Sequence, residues 1–423
     1  MDEAKTKISY SPTLANVLAA AENLKEIASV TPLLKNLHYS NKFECNMFFK
    51  REDFQTVRSY KIRGAYHKIS SLSLSETKKG IVCASAGNHA QGVALSCKLL
   101  KIKGTIYMPL PTPNQKIEQV KMFGEEYVEI IMEGDTYDDA CLAAKLNCEL
   151  TQKSFVHPFD DEKVIEGQAT VGLEILKQSQ KIIDYIFIPV GGGGLAAGLS
   201  SVFKIISPKT KIIGVEPDGA PSMSISIKNK RNTELQTIEK FVDGAAVKKV
   251  GSLTFPICEQ NLDAMITVPE GKVCQTILDL YNKDAIVVEP AGALSISALD
   301  YYKNEIKEKN VVCLISGSNN DITRTPEIKE RALLYANLKH YFIIKFPQRA
   351  GALREFVVDV LGDKDDITHF EYTKKTNREN GAAVVGVEIK HPNNLHPLIA
   401  RMKKHNFYGD YLNDKPDLFQ FLV

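Results

Sequence analysis

From about residue 45 to residue 325 the chain alternates short β-branched runs with segments of helical periodicity, and few folds accept that rhythm. The run GIVCASA reads as a strand, and NHAQGVALSCKLL after it sets Val93, Cys97 and Leu100 at helical spacing. GTIYMPL is the next strand, and NQKIEQVKMFG is then a helix stopped at Gly124. EYVEII and DYIFIPV are further strands, each followed by a helix, and KIIGVEP and VVCLIS close the series. The order predicts an α/β fold, a parallel sheet with helices on both faces, because parallel neighbours need crossovers that then cover the sheet. In such folds ligands gather at the C-terminal ends of strands. Nearly every motif taken up below falls at such an end.

The pattern changes near residue 330. EIKERALLYANLKH reads as a connecting helix, followed by the strand HYFIIKF, the turn PQRAGAL, a helix through REFVVDVL, and strands at ITHFEYTKK and AAVVGVEIK. A helix, LHPLIARMKKHN, leads to a last strand around LFQFLV. This βαββαβ order predicts a small separate α+β domain. The expected division is therefore an α/β part over residues 1–330, a connecting segment over 331–338 and the small domain over 339–423.

Composition narrows the function classes. Apolar residues make up 44% of the 423, enough for a large core, and a net charge of +2 gives no electrostatic reason to expect nucleic acid or an anionic membrane as partner. There is no apolar run near 20 residues long, and the first residues lack the apolar core of a signal peptide, so a cytoplasmic protein is expected. The eight cysteines show no CxxC spacing and several sit in apolar runs, as buried free thiols do. The nine histidines do not cluster, so no zinc site is expected.

The stretch RSYKIRGAYHKI sets Lys61 between Arg58 and Arg63 just before a glycine-alanine turn. It reads either as a solvated basic face or as a covalent attachment point whose arginines help keep Lys61 neutral enough to react. PVGGGGLAAG, Pro189 to Gly198, joins a strand to a helix; its glycines let the backbone approach a phosphate closely, or else make a tight turn for packing. Gly191, Gly193 and Ala196 also satisfy GxGxxA, with Glu216 twenty residues past Ala196, so a nicotinamide-dependent oxidoreductase is a rival reading. That rival leaves Lys61 without work. ASAGNHAQG, Ala84 to Gly92, places small or capping residues at a helix start: a second anion loop, or a plainly capped helix, with His89 by itself more often structural. LISGSNND offers Ser316 or Ser318 for one hydrogen bond to a ligand. An amine, a phosphate cradle, a second anion loop and an uncharged hydroxyl together suit pyridoxal phosphate and an amino-acid substrate.

The segments FKREDFQTVRSYKIRGAY, ASAGNHAQGVA, GDTYDDA, PFDDEKVIEGQATVGLEI, PVGGGGLAAG, GVEP, VDGAAVKKVG, VEPAGAL and SGSNND follow one another from about residue 25 to 325. Through them the chain resembles the fold-type II pyridoxal-phosphate enzymes, and among these the threonine dehydratases (threonine deaminases). The resemblance implies parallel sheets wrapped by helices in two α/β subdomains. It implies that Lys61 carries the cofactor covalently, that Asn88 bonds the ring hydroxyl, and that Gly191, Gly192, Gly193, Gly194 and Leu195 cradle the phosphate. Ser316 would meet the pyridine nitrogen; being neutral, it would not hold a proton there, which favours expulsion of a β-hydroxyl over transamination. Ser85, Ala86, Gly87 and His89 would help bind the substrate carboxylate, with Gly244 and Glu289 lining the pocket.

The implied reaction is dehydration and deamination of L-threonine to 2-oxobutanoate and ammonia, at the head of isoleucine synthesis. Some L-serine activity is expected, because one methyl group discriminates weakly. A catabolic serine/threonine deaminase shares the plan and is the near alternative; a non-catalytic amino-acid sensor is a more distant one. Serine racemase binds a divalent cation through a glutamate and a later aspartate after GVEP; here Glu216 and Ala220 are present but Ser222 stands at the aspartate's place, so no metal is expected. The C-terminal segment resembles the ACT-like regulatory domain of biosynthetic threonine dehydratases. This implies an isoleucine effector near the turn PQRAGALREF with Gly351, or otherwise a domain that only assembles subunits. The family suggests a homotetramer.

Overall fold

The computed structural model describes residues 10–372 and 379–415, which fall in two compact units, Met1–Asp321 and Ile322–Val423. In the first unit the predicted strands form as Ile81–Ala84, Gly104–Met108, Val128–Met132, Tyr185–Pro189, Lys211–Pro217 and Asn310–Ile315. The rhythm alone does not say which strands pair, and the structure sorts them into two sheets. One has the order Val128–Met132, Gly104–Met108, Ile81–Ala84, Ser154–Phe155, all parallel. The other has six strands: Leu33–Lys35, Asn46–Arg51, Asn310–Ile315, Tyr185–Pro189, Lys211–Pro217 and Ala264–Val268. All its pairings are parallel except that of the edge strand Leu33–Lys35. The four-stranded sheet is thus an insertion between the second and fourth strands of the larger one.

The physical basis is burial on both faces. Ile81–Ala84 and Gly104–Met108 are buried at every residue, which is why they read as continuous apolar runs without alternation. Each sheet has its own core: Ile186, Ile188, Ile212, Leu199 and Phe203 around the six-stranded sheet, and Ile81, Cys83, Ile106, Val93 and Cys97 around the four-stranded one. All eight cysteines are free, five of them buried. Among the described residues no helix is long and apolar enough to cross a membrane.

The second unit opens with the helix Thr325–Tyr335 and carries an antiparallel sheet in the order Asp366–Tyr372, Asn380–Glu388, Lys339–Pro347, Tyr408–Tyr411. Phe342, Ile344 and Phe346 alternate into a core completed by Phe356 and Val360 of the first helical segment and Leu398 and Met402 of the helix Leu395–Lys404. The helix predicted over EIKERALLYANLKH ends earlier than expected. Asn337 adopts a left-handed φ of 53°, and Lys339 already pairs in the sheet. The strand expected around LFQFLV lies outside the described residues; the last described strand is the polar Tyr408–Tyr411, whose pairing with Phe342–Ile344 the pattern did not reveal.

Candidate active site

The C-terminal ends of strands from both sheets of the first unit open on one cavity of about 740 Å³. Lys61, Ser85, Ala86, Gly87, Asn88, His89, Gly191, Gly192, Gly193, Gly194, Leu195, Ser316, Gly244 and Glu289 all line it. Residues 81–92, 185–195 and 310–319 therefore converge although their strands belong to two sheets. The loop before Lys61 is held to the Ser316 loop directly: Tyr60 N–H donates to Ser316 O (3.2 Å), Ser318 N–H to Arg58 O (3.0 Å), and Ser59 bridges Gly317.

Lys61 opens the helix Lys61–Ser70, and its Nζ donates to Pro158 O at 2.9 Å. Burial lowers its pKa to about 8, against an opposing pull from the Glu289 carboxylate. The arginines have no part in this, contrary to the reading that they help neutralise the lysine. Arg58 is exposed, and Arg63 turns away to donate to Glu52 (2.8 Å) and Glu174 (2.7 Å), in a buried cluster with Lys50. The basic stretch thus holds three separate jobs: a loop residue, a pocket amine and a core ion pair.

The glycine run leaves the strand Tyr185–Pro189 and starts the helix Gly194–Ile206. Gly193 has φ +93°, a left-handed conformation that side chains resist. At Gly192 a Cβ would lie 2.3 Å from the Phe159 ring. Among the described residues no hydrogen bond takes up the amides of Gly191, Gly192, Gly193, Gly194 or Leu195. Unbonded amides at a helix start, bordering a cavity, form a site for an anion such as a phosphate.

The loop Ser85–Asn88 is built similarly. Gly87 precedes the helix Asn88–Leu100, a Cβ on it would meet nothing within 4 Å, and the amides of Ala86, Asn88 and His89 find no partner among the described residues. The His89 ring is otherwise engaged: its Nε2 bonds Val156 O at 2.9 Å, and burial drops its pKa to about 3, so the imidazole is neutral and structural. What His89 can offer an anion is its main-chain N–H. Asn88 is fixed from both ends, its amide nitrogen donating to Glu289 Oε1 (2.6 Å) and its oxygen accepting from Asn319 (2.6 Å). Glu289 is buried, and burial together with the Asp243 charge pushes its pKa up to about 7. The sequence reading placed Glu289 in the pocket without a role; the structure makes it the acid that orients Asn88.

Two further features lie in segments that the sequence singled out without giving them a role. Pro158 and Phe159 line the cavity, with Pro158 O accepting from Lys61 Nζ, and Ala245 packs on Gly191, where a Cβ would come within 2.9 Å of Ala245 Cα. The tertiary fold also removes the dinucleotide rival. Glu216, its supposed ribose acid, is 0% exposed and is used up accepting from Met223 N–H (2.7 Å), Ser224 N–H (2.9 Å) and the Ser224 hydroxyl (2.7 Å). It caps the helix Ser222–Lys228 and does not line the cavity.

The Lys61 amine at a helix start, the open amides of the glycine run and the buried Ser316 hydroxyl border one cavity and fit pyridoxal phosphate, and with the two sheets they define a fold-type II pyridoxal-phosphate enzyme. Residues 24–317 match the family described as "Pyridoxal-phosphate dependent enzyme", and residues 330–422 match "C-terminal regulatory domain of Threonine dehydratase". The chain belongs to the pyridoxal-phosphate dependent enzymes, in the branch of the biosynthetic threonine dehydratases. It is 54% identical over 410 residues to the "L-threonine dehydratase biosynthetic IlvA" of Halalkalibacterium halodurans, covering 97% of this chain and 99% of that protein. The protein of the same name from Bacillus subtilis is 53% identical over 408 residues, covering 96% and 97%. Among solved structures, threonine deaminase isoform 2 from Solanum lycopersicum superimposes with a TM-score of 0.72 at 38% identity, covering 76% of this chain and 95% of that one.

Proposed function

We infer that this chain converts L-threonine to 2-oxobutanoate and ammonia by pyridoxal-phosphate-dependent β-elimination, with some activity on L-serine. The observation that carries the reading is the shared cavity of the Lys61 amine and the unbonded amides of residues 191–195. Lys61 would hold the cofactor, the glycine run its phosphate, Asn88 its ring hydroxyl and Ser316 its ring nitrogen. Bound there, the cofactor supplies a sink for the negative charge left at the substrate Cα. The open amides of Ala86, Asn88 and His89, in the loop shaped by Ser85 and Gly87, orient the substrate by its carboxylate. Lys61 Nζ takes the Cα proton; a pKa near 8 leaves an appreciable neutral fraction at physiological pH. The Cα–H electron pair then forms the Cα–Cβ double bond as the Cβ–O bond breaks, the departing hydroxyl taking the proton held on Lys61 and leaving as water; hydrolysis then consumes one water and releases ammonia and 2-oxobutanoate.

The biosynthetic names of the relatives and the C-terminal regulatory match support a place at the start of isoleucine synthesis, with isoleucine as effector. Near the expected effector turn, Gly351 has φ +85° with open space beside it, and the buried Gln348 Nε2 has no partner. We place the effector carboxylate there, where the Gln348 amide can donate to it. Free thiols suit a cytoplasmic enzyme, and the family resemblance suggests a homotetramer. The test is a visible absorbance band in the purified protein that borohydride bleaches, together with 2-oxobutanoate production from threonine. Both should vanish in Lys61→Ala. A colourless wild-type protein would end the proposal.

A further inference from the structure

The lysine and the glycine cradle must stand at one fixed spacing if a single rigid cofactor is to reach both. We propose that the segment His157–Asp160 sets that spacing, with Asp160 as its positioning residue; this rests on the pyridoxal-phosphate reading of the site. The segment touches both ends. Pro158 O accepts from Lys61 Nζ at 2.9 Å, and the Phe159 ring fills the space beside Gly192 that a Cβ would need. The segment is itself stiff. His157 Nδ1 accepts from the amides of Phe159 (3.3 Å) and Asp160 (2.8 Å), which leaves the ring proton on Nε2, and the ring stands edge-on to Phe159 at 4.7 Å.

Asp160 then reaches across to the cradle. Its Oδ2 accepts from Ser252 N–H (2.9 Å) and the Ser252 hydroxyl (2.8 Å), and its Oδ1 from Leu253 N–H (2.8 Å). At Gly251 a Cβ would sit 2.3 Å from Asp160 Oδ1, so a side chain there would displace the carboxylate. The loop held in this way supplies two donors to one acceptor in the cradle: Gly251 N–H (3.2 Å) and the Thr254 hydroxyl (2.6 Å) both bond Gly192 O. A trans peptide is planar, so its C=O and N–H point in opposite directions. Drawing the Gly192 carbonyl towards Gly251 and Thr254 therefore turns the Gly193 N–H the other way, where it is free to meet an anion. Asp160 acts on the phosphate through this relay without touching it.

The test compares two ligands, pyridoxal phosphate and pyridoxal, which lacks the phosphate. Each is titrated into cofactor-free full-length protein, wild type and Asp160→Asn, with borohydride fixation confirming attachment. Asparagine places an NH2 or a single oxygen where three donors converge, so the dissociation constant for pyridoxal phosphate should rise about tenfold or more, while that for pyridoxal changes less than about threefold. General loosening of the fold would weaken both alike, and that outcome, or no change in either, overturns the proposal. Should Asp160→Asn fail to fold, Ser252→Ala removes one donor only and should weaken pyridoxal phosphate alone, by a few-fold; equal weakening of both ligands, or no change in either, overturns the proposal there too. Wild-type protein that fixes neither ligand would overturn the cofactor reading itself, whereas normal wild-type binding with an indifferent variant sinks only the role of Asp160.

Discussion

Lys61 shows how little of a residue's chemistry its sequence neighbours decide. Arg58 and Arg63 flank it, yet burial is what lowers its amine to about 8. Attachment of pyridoxal phosphate needs the neutral amine, which predominates above that pKa. Uptake by cofactor-free protein should therefore accelerate from pH 7 and level off above pH 8, as followed by the rise of the visible band; a flat profile across that range contradicts the assignment. Ser316 carries a second prediction. Replacing its hydroxyl in Ser316→Ala removes one neutral hydrogen bond, worth about 0.5–1.5 kcal/mol, so kcat should fall roughly 2–10-fold while the cofactor stays bound by Lys61 and the cradle. Loss of the cofactor from that variant would show that Ser316 holds the fold of the site and not the ring. At this scale the glycine run was legible by itself as an unusual feature at a strand end, whereas Lys61 and Ser316 stood out only when the motifs were taken together, a basic stretch and a serine loop being ordinary when read alone. The part of Glu289 in orienting Asn88, and any part for Asp160, were not legible, since a lone carboxylate has meaning only through what folds against it.

The helix Lys61–Ser70 is the element that couples chemistry to core. Its first residue faces the cavity, and its third, Arg63, is buried against Glu52, Glu174 and the neighbouring Lys50. Burial opposes the Glu52 charge, but the Arg63 guanidinium outweighs it and holds the carboxyl below its usual range. Removing the arginine strands a buried anion, so Arg63→Ala should cost about 3–5 kcal/mol, read by denaturant titration. A loss under about 1 kcal/mol would mean that the cluster relaxes freely. The sign with pH follows from the lowered pKa. The stabilisation is present above the unfolded value of about 4.3 and is lost as pH falls through the folded value, so wild type and Arg63→Ala should converge in stability in acid. Most elements were legible because parallel strands buried on both faces write themselves as unbroken apolar runs. Tyr408–Tyr411 was missed for the opposite reason: a polar edge strand is fixed by its partner Phe342–Ile344 and not by its own pattern.

At the scale of the whole molecule the division at Asp321 separates an α/β unit that holds every residue proposed for the cofactor and substrate from an α+β unit that matches a regulatory family. With isoleucine as the effector proposed above, a chain ended at Asp321 should keep threonine turnover and show no inhibition by isoleucine, where the full chain is inhibited. In the full chain, a coupling of about 1–3 kcal/mol would appear as a 5–150-fold change in the affinity of one ligand by the other. Undiminished inhibition of the shortened enzyme would place the effector site in the first unit.

The sequence by itself determined the alternation of strands and helices, the change of pattern near residue 330 and the glycine run between a strand and a helix, because periodicity and glycine runs are local properties. Only the tertiary structure decided that the strands divide into two sheets whose ends meet, that Glu216 is a cap and Arg63 a core ion pair, and that residues 157–160 join the amine to the cradle. Those outcomes depend on which groups are desolvated together, and contacts made across a hundred residues leave no periodic trace in the chain.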